Sequence, residues 1–214
     1  MSFSRARRDA WSRLIAPLIL LWAALLALVL ALPSLTASPT AGDDLTRHTV
    51  RLALLYYAVA VALMLQLRPE EWLAAHGRGR VARWCWSLGW ATYLVHLGMA
   101  FHFYHGWSHR NAIEHIETVS GFGPGIFVSH TYTLVWTLDV FWWWRSPESY
   151  GRRPVWVGWL LHGFMAFIIF CATVVYEQGF IRWAGVAMFA GLGAILIRKV
   201  VGVRPGLTPA EGRG

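Results

Sequence analysis

Histidine is concentrated in one short stretch of this chain. The segment FHFYHGWSHRNAIEH, residues 101–115, contains His102, His105, His109 and His115, four of the nine histidines in the sequence. Imidazole is the commonest protein ligand for zinc, copper and iron, and it also carries protons near neutral pH. The first hypotheses are therefore a metal site, a haem site and a proton relay.

A transition-metal site is the leading interpretation, with four candidate ligands. His102 and His105 are three residues apart and share one face of a helix. A helix break at Gly106 allows His109 to fold back over them, and His130 arrives from a later segment at a similar depth. Three or four imidazoles in a partly dry pocket would hold copper, zinc or iron.

Three further side chains near this cluster are candidates for supporting roles. Glu114, His115 and Glu117 could orient the ligand rings from outside the coordination sphere.

The competing interpretation is that each histidine only complements the dipole at a helix C-terminus and donates hydrogen bonds to its free carbonyls.

A haem-b site is the alternative cofactor prediction. Two histidines on facing helices of a bundle can hold one haem. The available pairs are His102 with His130, or His96 with His162.

One acidic residue, Asp139, lies within an apolar segment. A carboxyl group inside a membrane is costly unless it is paired or protonated. His162 lies at a similar predicted depth, so the sequence predicts an intramembrane polar pair of Asp139 and His162.

Composition identifies the elements that position these residues as membrane helices. The 214 residues are 57% hydrophobic and 14% charged, with a mean hydropathy of +0.45. Apolar stretches long enough to cross a bilayer occur six times. They are residues 14–33, 49–67, 84–105, 125–144, 155–176 and 181–198. The connections are short, so residues 1–214 are predicted to form a single all-α transmembrane domain.

The basic residues indicate how this six-helix bundle is oriented. With a cytoplasmic N-terminus, the inner segments carry fifteen Arg and Lys residues and the outer segments carry four. This asymmetry predicts that both termini are cytoplasmic and that the histidine cluster faces outward. Ser108 as N-cap and Gly121 as terminator predict a short interfacial helix over residues 109–119 on the extracytoplasmic face.

Together these features predict a multi-pass protein of the cell inner (cytoplasmic) membrane. Its predicted function is transition-metal binding, for redox or hydrolytic chemistry or for metal handling. The alternatives are a haem-b electron-transfer subunit and a non-catalytic structural subunit of a larger membrane complex. The predicted partners are the lipid bilayer and membrane-complex subunits. Nucleic acid is not among them, because topology accounts for the net charge of +8.

Overall fold

The computed structural model describes Trp11 and residues 13–74 and 76–202 of the chain, and this part contains helices and no strand. The helices are α1 (Ile15–Leu35), α2 (Ala41–Gln66), α3 (Pro69–Leu73), α4 (Arg78–Phe103), α5 (His109–Ser120), α6 (Gly125–Arg145), α7 (Pro147–Gly151), α8 (Val155–Phe170) and α9 (Gly179–Gly202). A π-helical turn, Cys171–Val175, continues α8. The all-α prediction is confirmed.

Six of these helices are long, and each overlaps one of the six apolar stretches. Four of the six, α1, α2, α8 with its π turn, and α9, are long and apolar enough to cross a membrane. The chain is therefore a membrane protein by the length and composition of these helices. Both termini, residues 1–10 and 203–214, lie outside the described residues. Their cytoplasmic location therefore stays a prediction.

The two remaining long helices, α4 and α6, are rich in Trp, Tyr, His and Thr. Several of their indole and hydroxyl groups form hydrogen bonds between the two helices, which allows amphipathic aromatic residues to be buried. Trp90 Nε1 donates to Thr137 Oγ1 at 2.9 Å, and Tyr93 Oη lies 3.1 Å from Thr133 Oγ1. A helix covered by its neighbours in this way needs less apolar surface than one facing lipid.

The main core lies where α2, α4 and α6 meet. Trp86, Trp136 and Tyr57 are at most 2% exposed there, and their rings are 5.0 to 6.1 Å apart, centre to centre. Helix α1 joins this core through Trp22, whose Nε1 donates to Thr92 Oγ1 at 2.8 Å.

Two short helices, α3 and α7, close one end of the bundle. Tyr150 of α7 stacks on Trp143, with ring centres 4.8 Å apart and an interplanar angle of 10°. The ring centre of Trp72 of α3 lies 5.2 Å from that of Trp143. We call this the α3–α7 end. Helix α4 runs from it to α5, so α5 lies at the opposite end of α4, which we call the α5 end.

Candidate functional site

A tight turn at residues 104–108 positions the histidine cluster. Gly106 and Trp107 have φ values of +53° and +60°, so the chain leaves the helical direction as soon as α4 ends. Trp107 N donates to Phe101 O at 2.9 Å, and Ser108 N donates to His105 O at the same distance. The predicted break at Gly106 is confirmed, and the chain folds back over the last turn of α4.

Helix α5 begins and ends at the predicted caps. Ser108 Oγ accepts from Asn111 N at 3.3 Å, and Gly121 ends the helix with φ +73°. The observed bounds, His109–Ser120, match the prediction to one residue. Ala112, Ile113 and Ile116 pack the apolar face of α5 on Phe101 and Ile126.

Phe101 lies at the centre of the cluster. Its ring centre is 5.3 Å from that of His105, 5.5 Å from that of His109 and 6.3 Å from that of His130. The phenyl ring is 9% exposed, so these imidazoles surround an apolar group. His109 and His130 form one pair, and His105 forms a second pair with His115.

The first pair joins His109 of α5 to His130 of α6. Their ring centres are 5.4 Å apart with an interplanar angle of 56°. His130 Nε2 is buried and has no hydrogen-bond partner among the described residues. A buried nitrogen without a partner is costly, so this position favours a ligand or a coordinated ion.

The second pair joins His105 of the turn to His115 of α5. Their ring centres are 5.2 Å apart, and Tyr104 stacks on His115 at 5.3 Å. His105 is 6% exposed, and in the described part of the chain its Nδ1 has no partner. Burial lowers the pKa of His105, and the nearby His115 lowers it further.

The other predicted residues of this region point elsewhere. His102 is exposed and packs on Phe103, with ring centres 4.6 Å apart. Glu114 forms an exposed ion pair with Arg110 at 3.0 Å. Glu117 accepts a hydrogen bond from Gly123 N and so closes the turn into α6.

The four predicted ligands therefore do not meet at one point. His109 and His130 come together, whereas His105 pairs with His115 and His102 stands apart. Over Trp11 and residues 13–74 and 76–202, no group of three or more His, Cys, Asp or Glu side chains is placed to hold one metal ion. Each pair offers at most two protein ligands to an ion.

Asp139 and His162 lie towards the other end of the bundle, and each contacts Trp86. Asp139 is 1% exposed, and its Oδ2 accepts from Trp86 Nε1 at 2.8 Å and from Tyr150 Oη at 3.0 Å. The His162 ring lies 5.5 Å from that of Trp86. Its Nε2 is 3.2 Å from Arg153 Nη2, which can only donate, so His162 Nε2 accepts. The hydrogen bonds of the two residues thus go to different partners.

Sequence reasoning missed Tyr150, Trp86 and Arg153 as members of this polar cluster. Arg153 Cζ lies 3.7 Å from the centre of the Tyr150 ring. The sequence indicates a helical turn here, because Tyr150 and Arg153 follow a proline that can start one. It does not indicate that this short segment packs against α6.

The remaining haem candidate, His96, lies inside the bundle, where its Nδ1 donates to Thr46 O at 2.9 Å. Among protein-family models, curated proteins and solved structures, none matches this chain. Its function is therefore inferred from the geometry of the described residues.

Proposed function

We propose that this chain is a six-span inner-membrane protein that binds a transition-metal ion through His109 and His130 on its extracytoplasmic face. The supporting observation is the 5.4 Å spacing of the two ring centres, together with His130 Nε2, which has no partner in the part of the chain that the structure describes. Metal–nitrogen distances of about 2.0–2.1 Å in a tetrahedral site place two imidazole centres about 5 Å apart. The observed spacing fits two ligands of one ion.

A site with two protein ligands leaves coordination positions open. Water, substrate or a transferred ligand would fill them, which suits hydrolytic or redox chemistry or metal handling. The His105–His115 pair, with ring centres 5.2 Å apart, offers a second position of the same kind, and its His105 ring also lies next to Phe101. Copper, zinc and iron all accept imidazole nitrogen.

The six-span arrangement requires α4 and α6 to cross the membrane as well. Helix α6 supports this with a stripe of apolar side chains that are each 57 to 61% exposed: Phe127, Leu134, Leu138 and Phe141. Their spacing of seven, four and three residues keeps them on one helix face, which is suited to lipid. The excess of arginine at the α3–α7 end would then place α5 outside the cytoplasm.

Elemental analysis of the purified full-length chain tests the metal site. The purification tag must contain no histidine, because a polyhistidine tag would bind the same metals. We expect near-stoichiometric copper, zinc or iron in the native chain. His109→Gln and His130→Gln should each lower metal affinity by more than about 100-fold, because removing a ligand exceeds the 10- to 100-fold effect of removing its supporting partner.

His102→Gln is the matched control, since His102 belongs to the same sequence cluster but to neither ring pair. It should retain the metal content of the native chain. A native chain without these metals would contradict the proposal, as would a His102→Gln chain that loses as much metal as His109→Gln. A visible spectrum of the same sample distinguishes haem, whose intense absorption band would support the alternative cofactor. Fixed co-purifying partners would favour a subunit role.

A further inference from the structure

A second binding feature lies between α4 and α6, near the α3–α7 end and away from the histidine pairs. It is an apolar groove of about 330 Å³, lined by Trp84, Ser87, Trp90, Val140, Phe141 and Trp144. The Ser87 hydroxyl is already engaged, because it accepts from Trp144 Nε1 at 2.7 Å and donates to Arg83 O at 2.9 Å. The groove therefore offers an apolar surface to whatever occupies it.

Arg83 lies beside this groove, in contact with the ring of Trp144, which is one of the lining residues, and with the ring of Trp143. Its Cζ is 5.1 Å from the centre of the Trp144 ring and 5.4 Å from that of Trp143. The residue is only 5% exposed, and no carboxylate of the described residues forms a salt bridge with it. A buried guanidinium with aromatic contacts alone keeps most of its hydrogen-bonding capacity unused.

The adjacent residues Arg83 and Trp84 both contact the Trp144 ring, and together they leave three donors without a partner among the described residues. Arg83 Nε, Arg83 Nη2 and Trp84 Nε1 are all buried and have no hydrogen-bond partner within the described chain. Arginine and tryptophan side chains donate and cannot accept. A ligand that satisfies them must carry acceptor oxygens, and beside a buried arginine an anionic group such as a phosphate is the best match.

Charge around the groove favours the same kind of ligand. Arg145 follows Trp144 directly and lines a polar cleft with Arg152, and both are exposed. Glu148 is the one acidic residue in the lining of that cleft. Basic pockets between membrane helices at the cytoplasmic end bind anionic lipid headgroups.

We propose that the groove between α4 and α6 binds one anionic phospholipid, with its phosphate at Arg83 and an acyl chain along Trp90 and Phe141. The Trp144 ring is 38% exposed and covers the guanidinium, so binding requires this ring to rotate away. A phospholipid matches both the unpartnered donors and the apolar groove, because one molecule carries acceptor oxygens on its phosphate and an apolar acyl chain. The inference uses the membrane position of α4 and α6 and is independent of metal binding.

Native mass spectrometry of the full-length chain tests this proposal. Phosphatidylglycerol and phosphatidylcholine with identical acyl chains are added in turn, and the occupancy of the first bound lipid is measured. We expect the native chain to prefer phosphatidylglycerol. Arg83→Gln should reduce that preference by about fivefold, which corresponds to the loss of one basic residue at an anionic headgroup. Arg198→Gln, which removes an exposed arginine from α9, should leave it unchanged.

A second measurement needs no variant and so does not depend on how Arg83→Gln folds. Phosphatidylglycerol with a photoreactive acyl chain is bound to the native chain and irradiated. The cross-linked peptides should map to residues 84–90 and 140–144. Equal retention of the two lipids would overturn the proposal, as would cross-links confined to other helices. A stable dimer cross-linked through these segments would overturn it by identifying a second copy as the occupant.

Discussion

At the residue scale, side chains of one type have different environments within a few positions. His102 and His105 are one helical turn apart in sequence, yet His102 is exposed and His105 is 6% exposed. The difference arises because α4 ends at Phe103. The position of the His105 side chain is therefore set by the turn at residues 104–108 and not by the face of the helix. A shared face predicted from i,i+3 spacing holds only while the helix continues.

Tyr150 gives a prediction at this scale. Tyr150→Phe removes the hydroxyl that donates to Asp139 Oδ2 and leaves Trp86 as the remaining donor there. Because Asp139 is buried, we expect the free energy of unfolding to fall by about 1–3 kcal/mol. Thermal unfolding in detergent measures the change as a lower midpoint temperature.

Tyr176→Phe is the control for this substitution. Tyr176 is 52% exposed, and removing its hydroxyl should leave the unfolding midpoint unchanged. An equal fall in both variants would show that the Asp139 bond contributes nothing specific to stability.

At the element scale, the short helix α5 depends on its caps more than on its length. Twelve residues are too few for a stable isolated helix in water, so capping and packing must hold it. It carries one histidine of each pair. It brings His115 to His105 of the preceding turn and His109 to His130 of α6. Loosening α5 should therefore loosen both pairs together.

Ser108→Ala tests this dependence. The substitution removes the side-chain oxygen that accepts from Asn111 N at 3.3 Å. We expect α5 to lose about 1 kcal/mol, which raises its local opening about fivefold. Amide hydrogen exchange of residues 109–120 measures this opening.

Ser146→Ala is a matched control, because Ser146 occupies the same N-cap position of α7 without forming a side-chain capping bond. Exchange of residues 147–151 should not change in this variant. Unchanged exchange of α5 in Ser108→Ala would contradict the capping role.

At the scale of the whole molecule, the orientation in the membrane decides what the histidine pairs can meet. Helices α5 and α7 lie at opposite ends of the bundle, and Thr118 and Glu148 are exposed on them. The sequence asymmetry of arginine predicts that α5 is outside and α7 inside. This orientation is directly measurable.

Cysteine labelling in intact cells provides the measurement. With a membrane-impermeant thiol reagent, Thr118→Cys should react at once, and Glu148→Cys should react only after the membrane is permeabilised. The unsubstituted chain supplies the background, because Cys85 is buried and Cys171 is half-buried. The reverse pattern of labelling would contradict both the outward position of the histidine pairs and the inward position of the lipid groove.

Local sequence rules predicted the long helices and α5, but not the short helices α3 and α7. Long apolar stretches indicate the long helices, because a helix that crosses a membrane needs a continuous run of apolar residues. The break at Gly106, the cap at Ser108 and the stop at Gly121 were also predictable, since each depends on a residue and its immediate neighbours. Two long helices begin well before their apolar stretches: α2 at Ala41, eight residues before residue 49, and α4 at Arg78, six residues before residue 84. In α2, Asp43 and Asp44 stabilise the added first turn.

Tertiary structure alone decided which side chains meet. The sequence by itself determined an all-helical membrane protein and a concentration of histidine at one end of α4. It did not determine that His115 would join His105, that His102 would stand apart, or that Tyr150 would reach Asp139. Those contacts join residues on different helices or across the turn, so they depend on how α5 and α7 pack across the ends of the bundle. Packing angles of that kind are set by the summed fit of many side chains and not by the spacing of a few.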